Sequence, residues 1–170
     1  MTTMAQLDKY AAKWFNDQMR RRGFAVEKKF IFWRKRGPLY DMFLSEILTG
    51  GELLRISVTI WSPWAKHPDG EFDEFPPSYA LIGGYLSDRF PEDMLGGCGG
   101  YFIENEETME KTLRDVLNLI DKHALPWFPT INSYDSYAAY IGDHGFYPTP
   151  EFQEKLKKGI ARGFECEPFI

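Results

Sequence analysis

Cysteine, histidine and long apolar runs are what this 170-residue chain has least of. Its two cysteines, Cys98 and Cys166, stand far apart, which excludes a CxxC redox pair and a cysteine-rich zinc site. Both are expected to be reduced. No stretch reaches the roughly 18 consecutive apolar residues that a membrane-crossing helix needs. The start, Met1-Thr2-Thr3-Met4-Ala5-Gln6, lacks the basic-then-apolar layout of a secretion leader. The expectation is a soluble cytoplasmic protein with no membrane partner. Gly83-Gly84 and the run Gly96 to Gly100 match neither GxGxxG nor GxxxxGK[ST], so no phosphate-binding loop and no cofactor are expected.

Aromatic residues, in contrast, are plentiful: 14 Phe, 9 Tyr and 5 Trp, more than a generic core requires. Tyr and Trp are favoured at partner-facing surfaces as well as in cores, so the excess is compatible with a groove or an interface. Charge is distributed unevenly behind a total of −5. Residues 1–36 carry ten Lys/Arg against three Asp/Glu, residues 37–150 six against eighteen, and residues 151–170 four of each, for nets of +7, −12 and 0. If that polarity survives folding, it steers a charged partner.

The chain reads as a single α+β domain spanning residues 1–170. Met4, Leu7, Ala11, Trp14, Phe15 and Met19 follow helical spacing and predict one amphipathic helix over about Thr3 to Arg22, ended by Gly23. From Phe24 the period becomes two. Phe30, Phe32 and Arg34 alternate with Ile31, Trp33 and Lys35, Arg36-Gly37-Pro38 turns the chain, and the return strand runs through Tyr40, Met42 and Leu44 to Leu48. A second turn at Thr49-Gly50-Gly51 leads to Leu54, Ile56, Val58 and Ile60 on one face. These strands form an antiparallel meander whose apolar face packs on the first helix; short strands at Tyr79-Ala80-Leu81-Ile82 and Tyr101-Phe102-Ile103 bring the sheet to four or five.

A long helix is predicted over Glu106 to His123, capped by Asn105 and carrying Met109, Leu113, Val116, Leu117 and Ile120 inward. Leu125-Pro126-Trp127-Phe128-Pro129 breaks it. A short helix capped by Asn132 or Ser133 follows, and Pro150 opens a last helix to about Lys158.

Ser62 to Gly100 is irregular and proline-rich, and long loops within compact domains are commonly binding elements. It supplies the candidate partner-binding set: Trp61, Trp64, Phe72, Phe75 and Tyr79 as anchors, with Asp69, Glu71, Asp73 and Glu74 as the charged rim. The competing reading folds these aromatics inward. The acidic run has its glycine, Gly70, at the second position rather than the sixth, which does not fit a helix-loop-helix calcium site, and no metal is expected.

Two further constellations define alternatives. Arg20, Arg21, Arg22, Lys28, Lys29, Arg34, Lys35 and Arg36, with Phe30, Phe32 and Trp33 between, offer cations for phosphates and rings for bases. Against a nucleic-acid partner stand a pI near 5.3 and the split of these cations over both faces of a hairpin. The second alternative is a small enzyme with its site in residues 62–100, using Cys98 or one of His67, His123 and His144 as nucleophile or base. Ordinary surface roles account for all three histidines, so no catalytic residue is assigned.

Several pieces together resemble an uncharacterised bacterial family of domains of unknown function: Arg22-Gly23-Phe24, Phe30-Ile31-Phe32-Trp33-Arg34, the strand Ile56 to Ile60, and Ala124-Leu125-Pro126-Trp127-Phe128 followed by Ser133 to Tyr140. The resemblance covers roughly residues 5–142 and excludes the stretch from Pro63 to Gly100. Proteins of this kind are similar to immunity proteins of toxin systems. What that implies is a protein-binding module that neutralises a cognate toxin or effector, with no catalytic residues and an undefined oligomeric state.

Overall fold

The computed structural model describes residues 2–48, 53–65, 75, 82–86, 100–143 and 149–169. Six strands form one sheet: β1 (Ala25–Glu27), β2 (Ile31–Arg36), β3 (Leu39–Ile47), β4 (Leu53–Trp61), β5 (Ile82–Tyr85) and β6 (Tyr101–Phe102). The first five lie in chain order as an antiparallel meander, and β6 pairs with the start of β4 through Leu53↔Phe102 and Leu54↔Tyr101. The α+β class and the meander expected from the alternation are therefore present. The Thr49-Gly50-Gly51 turn lies outside the described residues, as do Tyr79, Ala80 and Leu81. The described strand of that region is Ile82–Tyr85.

The described residues gather into two compact units that interleave along the chain. One draws on Met1–Arg34, Met42–Val58 and Gly84–Pro126, the other on Lys35–Asp41, Thr59–Gly83 and Trp127–Ile170. Strands β2, β3 and β4 each contribute residues to both.

In the first unit the expected single N-terminal helix is two, α1 (Met4–Ala11) and α2 (Phe15–Arg21). A Thr3–Gln6 capping box starts α1. Trp14 then leaves helical geometry at φ −157°. The break re-aims Phe15, which is fully buried and stacks on Phe30 at 5.1 Å and edge-on to Phe32 at 5.6 Å. Helical periodicity alone places Phe15 in the stripe; the strand residues it must meet set the angle.

The β1–β2 connection carries backbone strain. Lys29 and Phe30 take φ of 63° and 56°, a region that L side chains rarely adopt. The Asp8 carboxylate accepts the Lys29 and Phe30 amides at 2.8 and 2.7 Å, and the Ser45 hydroxyl donates to the carbonyls of both at 2.9 Å. The Asp8 carboxylate and the single Ser45 hydroxyl proton, shared between the two carbonyls, thus hold two residues that have little intrinsic preference for this conformation.

Helix α3 (Glu106–Leu119) begins at Asn105, whose side chain and Thr108 cap each other's backbone amides, and it buries Met109, Leu113 and Val116 as the pattern requires. Ile120–Ala124 widens into a π turn ahead of a single helical turn at Leu125–Trp127. Pro126 has no amide to continue the i→i−4 ladder, which is where such a turn is favourable. Arg22 clamps this end, donating to both carboxylate oxygens of Asp121 at 2.6 Å.

The second unit holds α4 (Tyr134–Asp143) and α5 (Pro150–Cys166). Ser133 caps α4, accepting the Ser136 amide at 3.2 Å, and Thr149 caps α5. Helix α5 continues to Cys166, two turns past the expected end near Lys158, with Gly159 and Gly163 inside it.

Candidate partner-binding site

The aromatic centre of the second unit is assembled from the ends of two strands and one loop residue. The β2–β3 hairpin turns on Gly37 and Pro38, with Gly37 at φ +53°, the positive value that a two-residue loop of the primed type requires at its first position. A Cβ on Gly37 would also lie 2.8 Å from the Glu167 carbonyl, so the close approach of the C-terminal segment demands glycine there. Beyond the turn, Tyr40 meets Trp61 of β4 at 5.3 Å between ring centroids. Phe75 completes a triangle, 5.4 Å from each.

Trp61 is only 8% exposed, whereas Phe75 is 40% exposed. The two rings therefore differ in role: Trp61 with Tyr40 makes a platform, and Phe75 stands on it, partly exposed. Trp64 is directed elsewhere. Ser62, itself buried, donates to the Pro38 carbonyl at 2.8 Å and accepts the Trp64 amide at 3.2 Å, which turns the chain as it leaves β4. The Trp64 indole then lies against α5, where a Cβ on Gly163 would come within 2.6 Å of its Cγ and one on Gly159 within 2.2 Å of its carbonyl oxygen. Its Nε1 donates to Glu167 Oε1 at 3.0 Å.

Of the candidate anchors, then, Trp61 and Trp64 bury most of their rings within this unit and Phe75 presents its own. Asp69, Glu71, Phe72, Asp73, Glu74 and Tyr79 lie outside the described residues. Tyr40 was not among the sequence candidates. Its alternation with Met42 and Leu44 marks it as an ordinary strand residue, and nothing local signals that Trp61 and Phe75 will meet it.

Electrostatically, the platform is bordered by an ion pair. Lys35 Nζ lies 5.8 Å from the Tyr40 ring centroid and bonds Glu167. That hydrogen bond holds the Lys35 ammonium above its ordinary range. The same bond, followed by that from the Trp64 indole, holds the Glu167 carboxyl below its own. Deeper in the unit, Arg36 donates to both oxygens of the fully buried Asp41 at 2.8 and 2.7 Å and to the Phe128 and Ile131 carbonyls at 2.9 and 3.3 Å.

The basic residues of the hairpin and the first helices are thus heavily engaged. Besides Lys35 and Arg36, Arg20 pairs with Asp17 and Arg22 with Asp121, and Arg34 lies over the Phe24 ring at 4.7 Å. Of the groups named for an enzyme, His123 is described, half-buried in the π turn of the first unit; Cys98, His67 and His144 are outside the described residues. Cys166 is an exposed free thiol at the end of α5. Among the described residues, no group of three or more His, Cys, Asp or Glu is arranged to hold a metal ion, and no helix is long and apolar enough to cross a membrane.

The fold and this geometry define a class, an α+β protein with an antiparallel meander and an aromatic platform at strand ends. No protein-family model matches the chain, and no curated protein or solved structure does so either.

Proposed function

We propose that this chain is a protein-binding module that neutralises a toxin or effector by direct contact, in the manner of an immunity or inhibitor protein. The observation that carries the reading is Phe75: a large ring 40% exposed, packed on Tyr40 and Trp61, and following directly in sequence the acidic stretch Asp69-Gly70-Glu71-Phe72-Asp73-Glu74. A ring fixed on a platform loses little side-chain entropy when a partner covers it, and such aromatics commonly dominate binding energy. The adjoining carboxylates supply charge complementarity toward a basic partner surface and speed encounter. The carboxylate partners of Arg20, Arg22, Lys35 and Arg36 weigh against a phosphate-binding role for those cations.

The test is affinity capture of the tagged protein from its native cell lysate at moderate salt, with mass spectrometry of what stays bound, run beside Phe75→Ala. One stoichiometric protein retained by the wild type and lost from the variant supports the reading. Recovery of nucleic acid, or equal retention by both proteins, rejects it.

A further inference from the structure

A second concave feature of the molecule lies between its last two helices. Helices α4 and α5 leave between them a groove of about 240 Å³, lying wholly within the second unit. Each helix offers residues at i, i+3, i+4 and i+7 to it: Tyr134, Tyr137, Ala138 and Ile141 from one, Gln153, Leu156, Lys157 and Ile160 from the other. The floor is apolar and buried, formed by Tyr137, Ile141, Leu156 and Ile160. The rim is polar, formed by Tyr134, Gln153 and Lys157.

Two observations separate this groove from imperfect packing. The first concerns glycine. Gly159 and Gly163 of α5 are glycines because a Cβ there would strike Trp64, whereas a Cβ on Gly142 of α4, which also lines the groove, would meet nothing within 4 Å among the described residues. Together with Ala138 one turn earlier, Gly142 keeps the α4 wall low. The second concerns charge. Lys155, two residues before Lys157, pairs with Glu151 at 3.1 Å, while Lys157 itself makes no ion pair among the described residues.

From an apolar floor with one unpaired ammonium, an amide and a phenol at its rim, we propose that the α4–α5 groove binds a small amphipathic carboxylic acid. Its apolar body lies on Tyr137, Ile141, Leu156 and Ile160, and its carboxylate meets Lys157 with Gln153 or Tyr134 donating beside it. The volume falls just below the roughly 300–1,000 Å³ usual for drug-sized ligands, so the occupant is of the size of a medium-chain or single-ring acid. This inference is independent of the protein-binding reading.

Octanoate is a suitable probe and octanol its uncharged control, both titrated into the full chain and followed by amide chemical shifts. The expected result is saturable binding of octanoate that moves residues 134–142 and 153–160, with octanol weaker. Lys157→Gln, on an exposed position, should lower octanoate affinity about tenfold, the scale of a hydrogen bond to a charged group, and leave octanol unchanged. Ala138→Leu, which fills the groove, should weaken both ligands at an unaltered thermal midpoint. Absence of saturable shifts, shifts elsewhere in the chain, or equal octanoate binding by wild type and Lys157→Gln each overturns the proposal.

Discussion

The indole of Trp64 lies on the bare backbone of Gly163, close enough that a Cβ would sit 2.6 Å from Cγ and 2.7 Å from Cδ1. Helix α5 therefore carries a glycine where helix propensity alone favours alanine by about 1 kcal/mol. Gly163→Ala is expected to destabilise the protein, because overpacking of this kind costs about 1–3 kcal/mol and outweighs the propensity gain. Urea unfolding followed by tryptophan fluorescence measures it. A more stable variant would show that the indole is free to move away.

The buried pair Arg36–Asp41 gives an asymmetric expectation. Removing one partner, as in Asp41→Leu, leaves Arg36 facing an apolar wall and should cost about 3–5 kcal/mol, while the double replacement Arg36→Met with Asp41→Leu should recover much of that. A double-mutant cycle in equilibrium unfolding reads the difference. Equal losses in the single and double variants would mean that the bonds from Arg36 to the Phe128 and Ile131 carbonyls matter more than the ion pair.

In the first unit, the strain at Lys29 and Phe30 is opposed by Asp8. Asp8→Ala removes a charged acceptor from two amides and is expected to cost about 1.5–3 kcal/mol. Lys29→Gly should act in the opposite direction by about 1 kcal/mol, since glycine enters the left-handed region without penalty. Thermal midpoints of the two variants check the signs.

Glu167 makes a pH prediction. Its carboxyl is held below the ordinary range, first by Lys35 and then by the Trp64 indole, so the folded state binds this proton less readily than the unfolded chain. The contribution is fully present above the unfolded carboxylate pKa and is lost as pH falls through the lowered folded value. Trp64 fluorescence should titrate in that acid window, and Glu167→Gln should remove the transition. Lys35 is raised by the same contact, so its share is complete below the ordinary lysine pKa and fades as pH climbs through the raised one.

The acidic run makes a prediction for binding. Replacing Asp69, Glu71, Asp73 and Glu74 with Asn or Gln should slow association with the captured partner and reduce its salt dependence, leaving the thermal midpoint nearly unchanged. Stopped-flow association at two ionic strengths measures this. A matching loss of folding would assign those carboxylates to the fold instead of the interface.

Much of the architecture is legible locally. The period-two run through Leu54, Ile56, Val58 and Ile60, the Gly37-Pro38 turn and the Asn105 cap follow from alternation, backbone preference and one side-chain hydrogen bond, all set within a few residues. These local signals suffice for the α+β class and the meander. Where α1 ends, how far α5 runs, and the inward turn of Trp61 and Trp64 beside a part-exposed Phe75 are set by long-range packing. Those outcomes depend on partners remote in the chain: Phe15 on Phe30, Gly159 and Gly163 on Trp64, Trp61 on Tyr40. A glycine in a helical pattern looks like a stop until the ring that requires it is in place, because its cost is local and its compensation is not.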